Sequence, residues 1–386
     1  MLDRGVAHRE WANRRDEEKF DNVAEFIADA KRWMDESHEI ECPWKSLAFE
    51  PDGEEILAVP KTDWAYCGAN LQPPRLTHWS FQQAAGYSGM PADPLRKLSP
   101  KLASDCLNEL LTKERPDGTA NLLVRLNGST EIRALTTDRY IRAWDHDLIP
   151  FYEFLQENGW MVPPSWPSPN CPESRKKITQ THETFEGSLV KVGDIRGPNG
   201  LNRSDRNSFA FFIQPNSYIK TPDGKTMWRG LVIQNSEVRE CSFKANGFLF
   251  DQVCGNHNLF GAQELFEANF RHTGDVQAKM IAAFQSLQAF SHRSMQEEQD
   301  TINRASTLLL ADKSEDVAEK LLSKRSLALT LKQAKDAVTL ANTGKYGDPR
   351  SAWAVSQALT QLSQSQAYTG ARVDLDRQAA RVLAAF

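Results

Sequence analysis

The stretch Leu122-Leu123-Val124-Arg125-Leu126-Asn127-Gly128-Ser129-Thr130-Glu131-Ile132-Arg133-Ala134-Leu135 decides the fold class. Two apolar-rich runs flank Asn127-Gly128, and Asn-Gly accepts the positive φ that a tight reversal demands. The chain turns back here as a β-hairpin. Further along, Ser208–Gln214 (SFAFFIQ), Met227–Asn235 (MWRGLVIQN) and Arg239–Lys244 read as strands, with turns at Pro222-Asp223-Gly224 and Ala245-Asn246-Gly247. Strand pieces return at His257–Phe260 and Leu265–Phe270. Leu249, Phe250, Val253 and Cys254 fall at helical steps and predict a short buried helix between them.

Outside this β-rich group the period changes. Phe20, Val23, Phe26, Ile27, Ala30 and Trp33 predict a helix from Phe20 to Met34, and helices follow from Thr77, over Ser99–Leu111 and over Asp147–Asn158. Between Pro43 and Pro94 the prolines predict irregular, compact structure with short strand-like pieces at Leu57–Val59 and Trp64–Cys67. Val162–Pro172 is a linker or a long loop. Of the 19 prolines only Pro349 lies beyond Pro222, and amphipathic stripes such as Met280, Phe284, Leu287 and Phe290 make the C-terminal third helical. The expected fold is α+β. An N-terminal helical and irregular region (1–120) precedes a central, largely antiparallel sheet built from hairpins (121–275), and a C-terminal helical region (276–386) completes one integrated chain.

The 386 residues are 40% hydrophobic and 25% charged, which excludes disordered, collagen-like and membrane-spanning classes. No signal-peptide core is present and the six cysteines form no Cys-x-x-Cys pair, so a cytoplasmic protein with free thiols is expected. The net charge of −5 is unevenly spread. Residues 1–60 carry 8 basic and 16 acidic side chains, whereas residues 171–230 carry 10 and 6. Polyanion contacts therefore belong to the middle and C-terminal portions.

Cationic residues interleaved with aromatics mark a single-strand-binding surface, because guanidinium and ammonium groups neutralise phosphates while ring faces stack on bases. The candidates are Arg139, Arg142, Lys176, Lys177, Arg203, Arg206, Trp228, Arg229, Arg271 and His272. Phe209, Phe211 and Trp228 equally fit the buried side of alternating strands. Arg271-His272-Thr273-Gly274 is either a phosphate site at a helix start or a capped start without ligand. A metal alternative uses Cys254, His257 and His272, with Cys241 or Asp251 as fourth ligand. A magnesium-dependent nuclease would draw on Asp138, Glu237, Asp251 and Asp275, although Asn235-Ser236-Glu237 also reads as turn chemistry with Glu237 pairing an arginine. Neither a Gly-x-Ser-x-Gly elbow nor a P-loop occurs, and no cofactor is expected.

Seven blocks carry a family resemblance: 8–20 (HREWANRRDEEKF), 77–111, 132–145 (IRALTTDRYIRAWD), 228–238 (WRGLVIQNSEV), 248–262 (FLFDQVCGNHNLFGA), 270–276 (FRHTGDV) and 371–383 (ARVDLDRQAARVL). Together they resemble the phage/plasmid-like family of unknown function numbered 932. That resemblance implies work inside a bacterial host cell and a DNA transaction. It also implies a distant likeness to ring-forming single-strand annealing proteins. The leading expectation is a non-enzymatic protein that binds single-stranded DNA or RNA, as a homo-oligomer and without a membrane. A metal-assisted nuclease or other hydrolase is the alternative, and a structural or host-interaction protein that meets its partner through the acidic N-terminus is the second.

Overall fold

The structure is a computed structural model that describes residues 18, 20, 22–60, 73–114, 117–162, 201–221, 226–251, 266–363, 375, 378–383 and 385. The deciding hairpin forms as expected. Strands β5 (Thr119–Leu126) and β6 (Thr130–Thr137) pair antiparallel around Gly128, whose φ of +87° only glycine takes without strain. They lie inside a six-stranded sheet with β1 (Ser37–Pro43), β2 (Leu47–Asp52), β3 (Glu55–Pro60) and β4 (Arg75–Leu76), in the order β1-β5-β6-β4-β3-β2. Only the β4–β6 pair is parallel.

Strand β2 corrects the expectation of irregular structure after Pro43, while β3 contains the strand piece expected at Leu57–Val59. Pro43 ends one outermost strand and Pro51 lies in the other, places where a missing N–H costs little. The outer edge of β2 is closed by Asn108, which accepts from the Phe49 amide at 2.7 Å and donates to its carbonyl at 2.8 Å.

Helix α1 (Val23–Asp35) starts at Asn22, whose side chain accepts from the Glu25 amide, and buries Val23, Phe26, Ala30 and Trp33. Helix α2 (His78–Tyr87) is capped by Thr77. With α3 (Ala92–Leu95) and α4 (Pro100–Glu114) it supplies Phe81, Leu95, Leu107 and Leu111 to one face of the first sheet. Helix α5 (Ile149–Glu157) follows the hairpin.

The second sheet runs β11-β10-β9-β8-β7 and is wholly antiparallel: β7 (Leu201–Arg203), β8 (Ser208–Lys220), β9 (Thr226–Asn235), β10 (Phe243–Asp251) and β11 (Phe266–Phe270). Here Leu249 and Phe250 correct the expected short helix, since they pair with Arg229 and Trp228 in β10. Their one-residue spacing fits either period, but Phe243, Ala245 and Leu249 share a face at spacings of two and four, which is strand logic. Gly230 lies opposite Phe248, and a Cβ there would sit 2.3 Å from the ring. One face meets Phe26, Phe151, Tyr152, Leu287 and Phe290; the other buries Phe211, Ile213, Trp228, Val232 and Phe248.

The C-terminal helices α6 (Val276–His292), α7 (Gln296–Thr307), α8 (Val317–Ser323), α9 (Leu331–Ala341) and α10 (Ala352–Ser363) continue that core, as their stripes predict. The expected pieces at Trp64–Cys67 and His257–Phe260, the turn at Pro222-Asp223-Gly224 and most of Val162–Pro172 lie outside the described residues.

Candidate nucleic-acid interface

The segment 236–242 between β9 and β10 joins the two sheets through buried polar contacts. Glu237 Oε2 accepts from Arg133 Nη1 of β6 at 2.8 Å, and its Oε1 accepts from the Asp145 amide at 2.9 Å. Val238 packs on Leu123 and Ala134 of the first sheet, and its carbonyl accepts from Trp79 Nε1 and Gln83 Nε2, both at 2.8 Å. Asp145 in turn accepts from Ser208 Oγ, Asn235 Nδ2 and Arg203 Nε. Arg203 also reaches Asp29 at 3.1 Å and lies over the Phe26 ring. Burial pulls the Arg203 guanidinium down, but Asp145, Tyr152 and Asp29 together hold it above its ordinary value.

This hub settles where several candidate residues point. Arg203 is 3% exposed and internally paired. Arg142 is 6% exposed, pairs with Glu39 at 2.8 Å and donates to the Glu237 carbonyl. Arg229 is fully buried; it donates to the carbonyls of Phe290 and Arg293 at 3.1 and 2.8 Å, satisfying groups at the C-terminal end of α6, with Glu298 close by. Burial lowers its pKa, Glu298 opposes that, and Arg293 adds to it. Trp228 belongs to the core with Phe211 and Phe248. These four are corrections to the binding surface: Arg203, Trp228 and Arg229 face inward from their strands, Arg142 is turned inward from the segment after β6, and internal partners consume the charge of the three arginines. Lys176 and Lys177 lie outside the described residues.

His272 is a fifth correction. It is buried, and burial followed by the Arg142 charge pulls its pKa down to about 4, so it is neutral near pH 7 and no phosphate ligand. Tyr140 Oη donates to the Ser236 carbonyl at 2.9 Å, which leaves His272 Nδ1–H to donate to Oη across 2.6 Å. The Nε2 atom is buried without a partner. Of the metal alternative, Cys254 and His257 lie outside the described residues, and among the described residues no three His, Cys, Asp or Glu side chains are grouped to hold an ion. Within the nuclease set, Glu237 pairs with Arg133, Asp275 caps α6 by accepting from the Ala278 amide at 2.8 Å, and Asp138 is exposed beyond β6. The capped-start alternative for Arg271–Gly274 therefore describes the helix end, where the Asp275 carboxylate already answers its positive pole.

Three of the candidate cations remain outside the core. Arg206 is half-buried, with Nη2 2.9 Å from His78 Nδ1 and its guanidinium over the Trp79 ring. Arg139 and Arg271 are exposed, and neither guanidinium has a partner among the described residues. The Ile141 amide donates to the His272 carbonyl at 2.9 Å, so the two segments that carry them run side by side. Beside them Lys279 is held only by the main-chain carbonyls of Thr273 and Arg271.

Ile141, next to these segments, also lines a crevice of about 630 Å³ between the start of α5 and the first half of α6, with Lys31 of α1 in the same lining. Ile141 and Ile281 stand in it 44% and 54% exposed, above Phe151 and Phe284, whose rings meet at 5.0 Å. Sequence reasoning missed Lys31, Ile141, Lys279 and Ile281. Ile281 carried a signal: a large apolar side chain next to, but outside, the Met280–Phe284–Leu287 stripe.

Fold and site define an α+β protein of two sheets locked by a buried ionic hub, with a cation-bordered apolar crevice on its surface. The family model described as Domain of unknown function (DUF932) matches residues 173–385, more than half of the chain, and the protein belongs to that family. Four of the seven resembling blocks fall inside the matched residues. No curated protein and no solved structure matches the chain. Among the described residues no helix is long and apolar enough to cross a membrane, and Cys106 and Cys241 are free thiols.

Proposed function

We propose that this protein binds single-stranded nucleic acid over the face that carries Arg139, Arg271 and Lys279, and acts as an annealing oligomer of a phage or plasmid. One observation carries the reading. While Arg133, Arg142, Arg203 and Arg229 are buried against internal partners, Arg139 and Arg271 are exposed, unpaired among the described residues, and brought together by the Ile141–His272 contact. Exposed guanidinium groups neutralise phosphates without reading sequence, and an adjoining apolar wall offers stacking area. The resemblance to phage and plasmid proteins supplies strand annealing as the context, and self-association would line such faces along one strand.

Fluorescence anisotropy of a labelled oligothymidylate at low salt tests this, with the oligomeric state measured by light scattering. Binding that weakens steeply between about 50 and 200 mM salt supports it. No binding at low salt overturns it.

A further inference from the structure

The crevice beside Arg139 and Arg271 has a composition that phosphate neutralisation alone does not call for. Its walls leave two isoleucines, Ile141 and Ile281, about half in solvent, where burial of each is incomplete. Yet the same walls carry His146, Asp147 and Gln277, which offer hydrogen-bond donors and acceptors. Asp147 keeps Oδ2 on the Trp144 amide at 3.2 Å, while its Oδ1 lies 3.9 Å from His146 Nδ1, too far for a hydrogen bond. An acyl chain would match the isoleucines and strand the polar groups; a sugar would do the reverse. A flat heteroaromatic with polar edges matches both.

Resting on the single-strand binding proposed above, we infer that the crevice seats one unstacked nucleobase of the bound strand. The base lies between Ile141 and Ile281 over Phe284, with its edge toward His146, Asp147 and Gln277. Charge fits the same occupant. Arg139 is two residues from Ile141 in the chain, Arg271 adjoins it through the Ile141–His272 hydrogen bond, and Lys31 is in the lining itself, so cations are at hand for the phosphates of the seated nucleotide. Ligand clefts commonly measure about 300–1,000 Å³, and 630 Å³ accommodates a base with its sugar.

Three strands of equal length are titrated into the full chain: oligothymidylate, the same oligomer with one 2-aminopurine, and a wholly abasic phosphodiester. The same titrations are run on the Ile281→Trp variant, which fills the crevice from an exposed position and leaves the core untouched. The abasic strand is expected to bind about tenfold more weakly than oligothymidylate, as expected from loss of one stacked base. On the native chain 2-aminopurine brightens as it leaves its neighbours; Ile281→Trp abolishes the brightening and lowers oligothymidylate affinity to the abasic level. Salt-dependent binding that ignores both the missing bases and Ile281→Trp overturns base seating and leaves strand binding intact. If no strand binds, both readings fall.

Discussion

Removing the Glu237 carboxylate probes the hub that joins the two sheets. In Glu237→Ala the Arg133 guanidinium, 3% exposed, loses its ion-pair partner and keeps only a 3.4 Å contact to Ser37 Oγ and the Trp33 ring 4.2 Å away. Its Nε is already without a partner, so no spare bond compensates. The Asp145 amide loses its acceptor as well. Breaking one side of a buried pair costs about 3–5 kcal/mol, because the remaining charge stays desolvated. Against a total stability of about 5–15 kcal/mol that loss is large. Urea unfolding followed by circular dichroism, extrapolated linearly to water, measures it. The double variant Arg133→Met/Glu237→Gln removes both charges, keeps an acceptor for the Asp145 amide, and is expected to recover most of the loss. A loss below about 1 kcal/mol in Glu237→Ala, the size of an exposed pair, or a double variant as damaged as the single one, would refute a buried, coupled hub.

Other consequences can be measured on the same material. His272 has a folded pKa of about 4 against about 6.5 unfolded, so the unfolded chain binds the proton first; its contribution is fully present above pH 6.5 and is lost as pH falls toward 4. Unfolding free energy should fall by about 3 kcal/mol more across that window in the native protein than in His272→Asn; equal slopes would show that the imidazole is not held neutral. Gly230→Ala places a Cβ 2.3 Å from Phe248 and should destabilise by about 1–3 kcal/mol. By contrast Gly86→Ala, in α2 with nothing within 4 Å of the added carbon, should stabilise by about 0.4–1 kcal/mol. Arg229→Met should lower the thermal midpoint while leaving the salt dependence of oligonucleotide binding unchanged, since that guanidinium serves carbonyls near the end of α6.

The hairpin at Asn127-Gly128, the α1 stripe and the C-terminal helices are legible in the sequence because local chemistry alone specifies them. The fate of the arginines is not. Arg133, Arg203 and Arg229 sit in strands where a charged residue usually faces water, and their partners are far along the chain: Asp29 is 174 residues from Arg203, and Glu237 is 104 from Arg133. Nothing within a strand announces such a pairing. Asn235-Ser236-Glu237 did show its turn character, with Ser236 Oγ accepting from the amides of Val238 and Glu240. The crevice was hidden because α1, the loop after β6 and α6 meet only in three dimensions. The prolines between Pro43 and Pro60 misled for a simpler reason: at edges and ends of strands they do not break a sheet.

The most direct test of strand binding through exposed cations is the slope of log affinity against log salt for a single-stranded oligonucleotide, measured on the native chain and on Arg139→Ala/Arg271→Ala/Lys279→Ala. All three side chains lie outside the hub, so the variant keeps its fold. Each phosphate contact on a single strand contributes about 0.7 to the slope, and loss of three should make it shallower by about 2. An unchanged slope, or a native chain that binds no strand at low salt, would contradict the account.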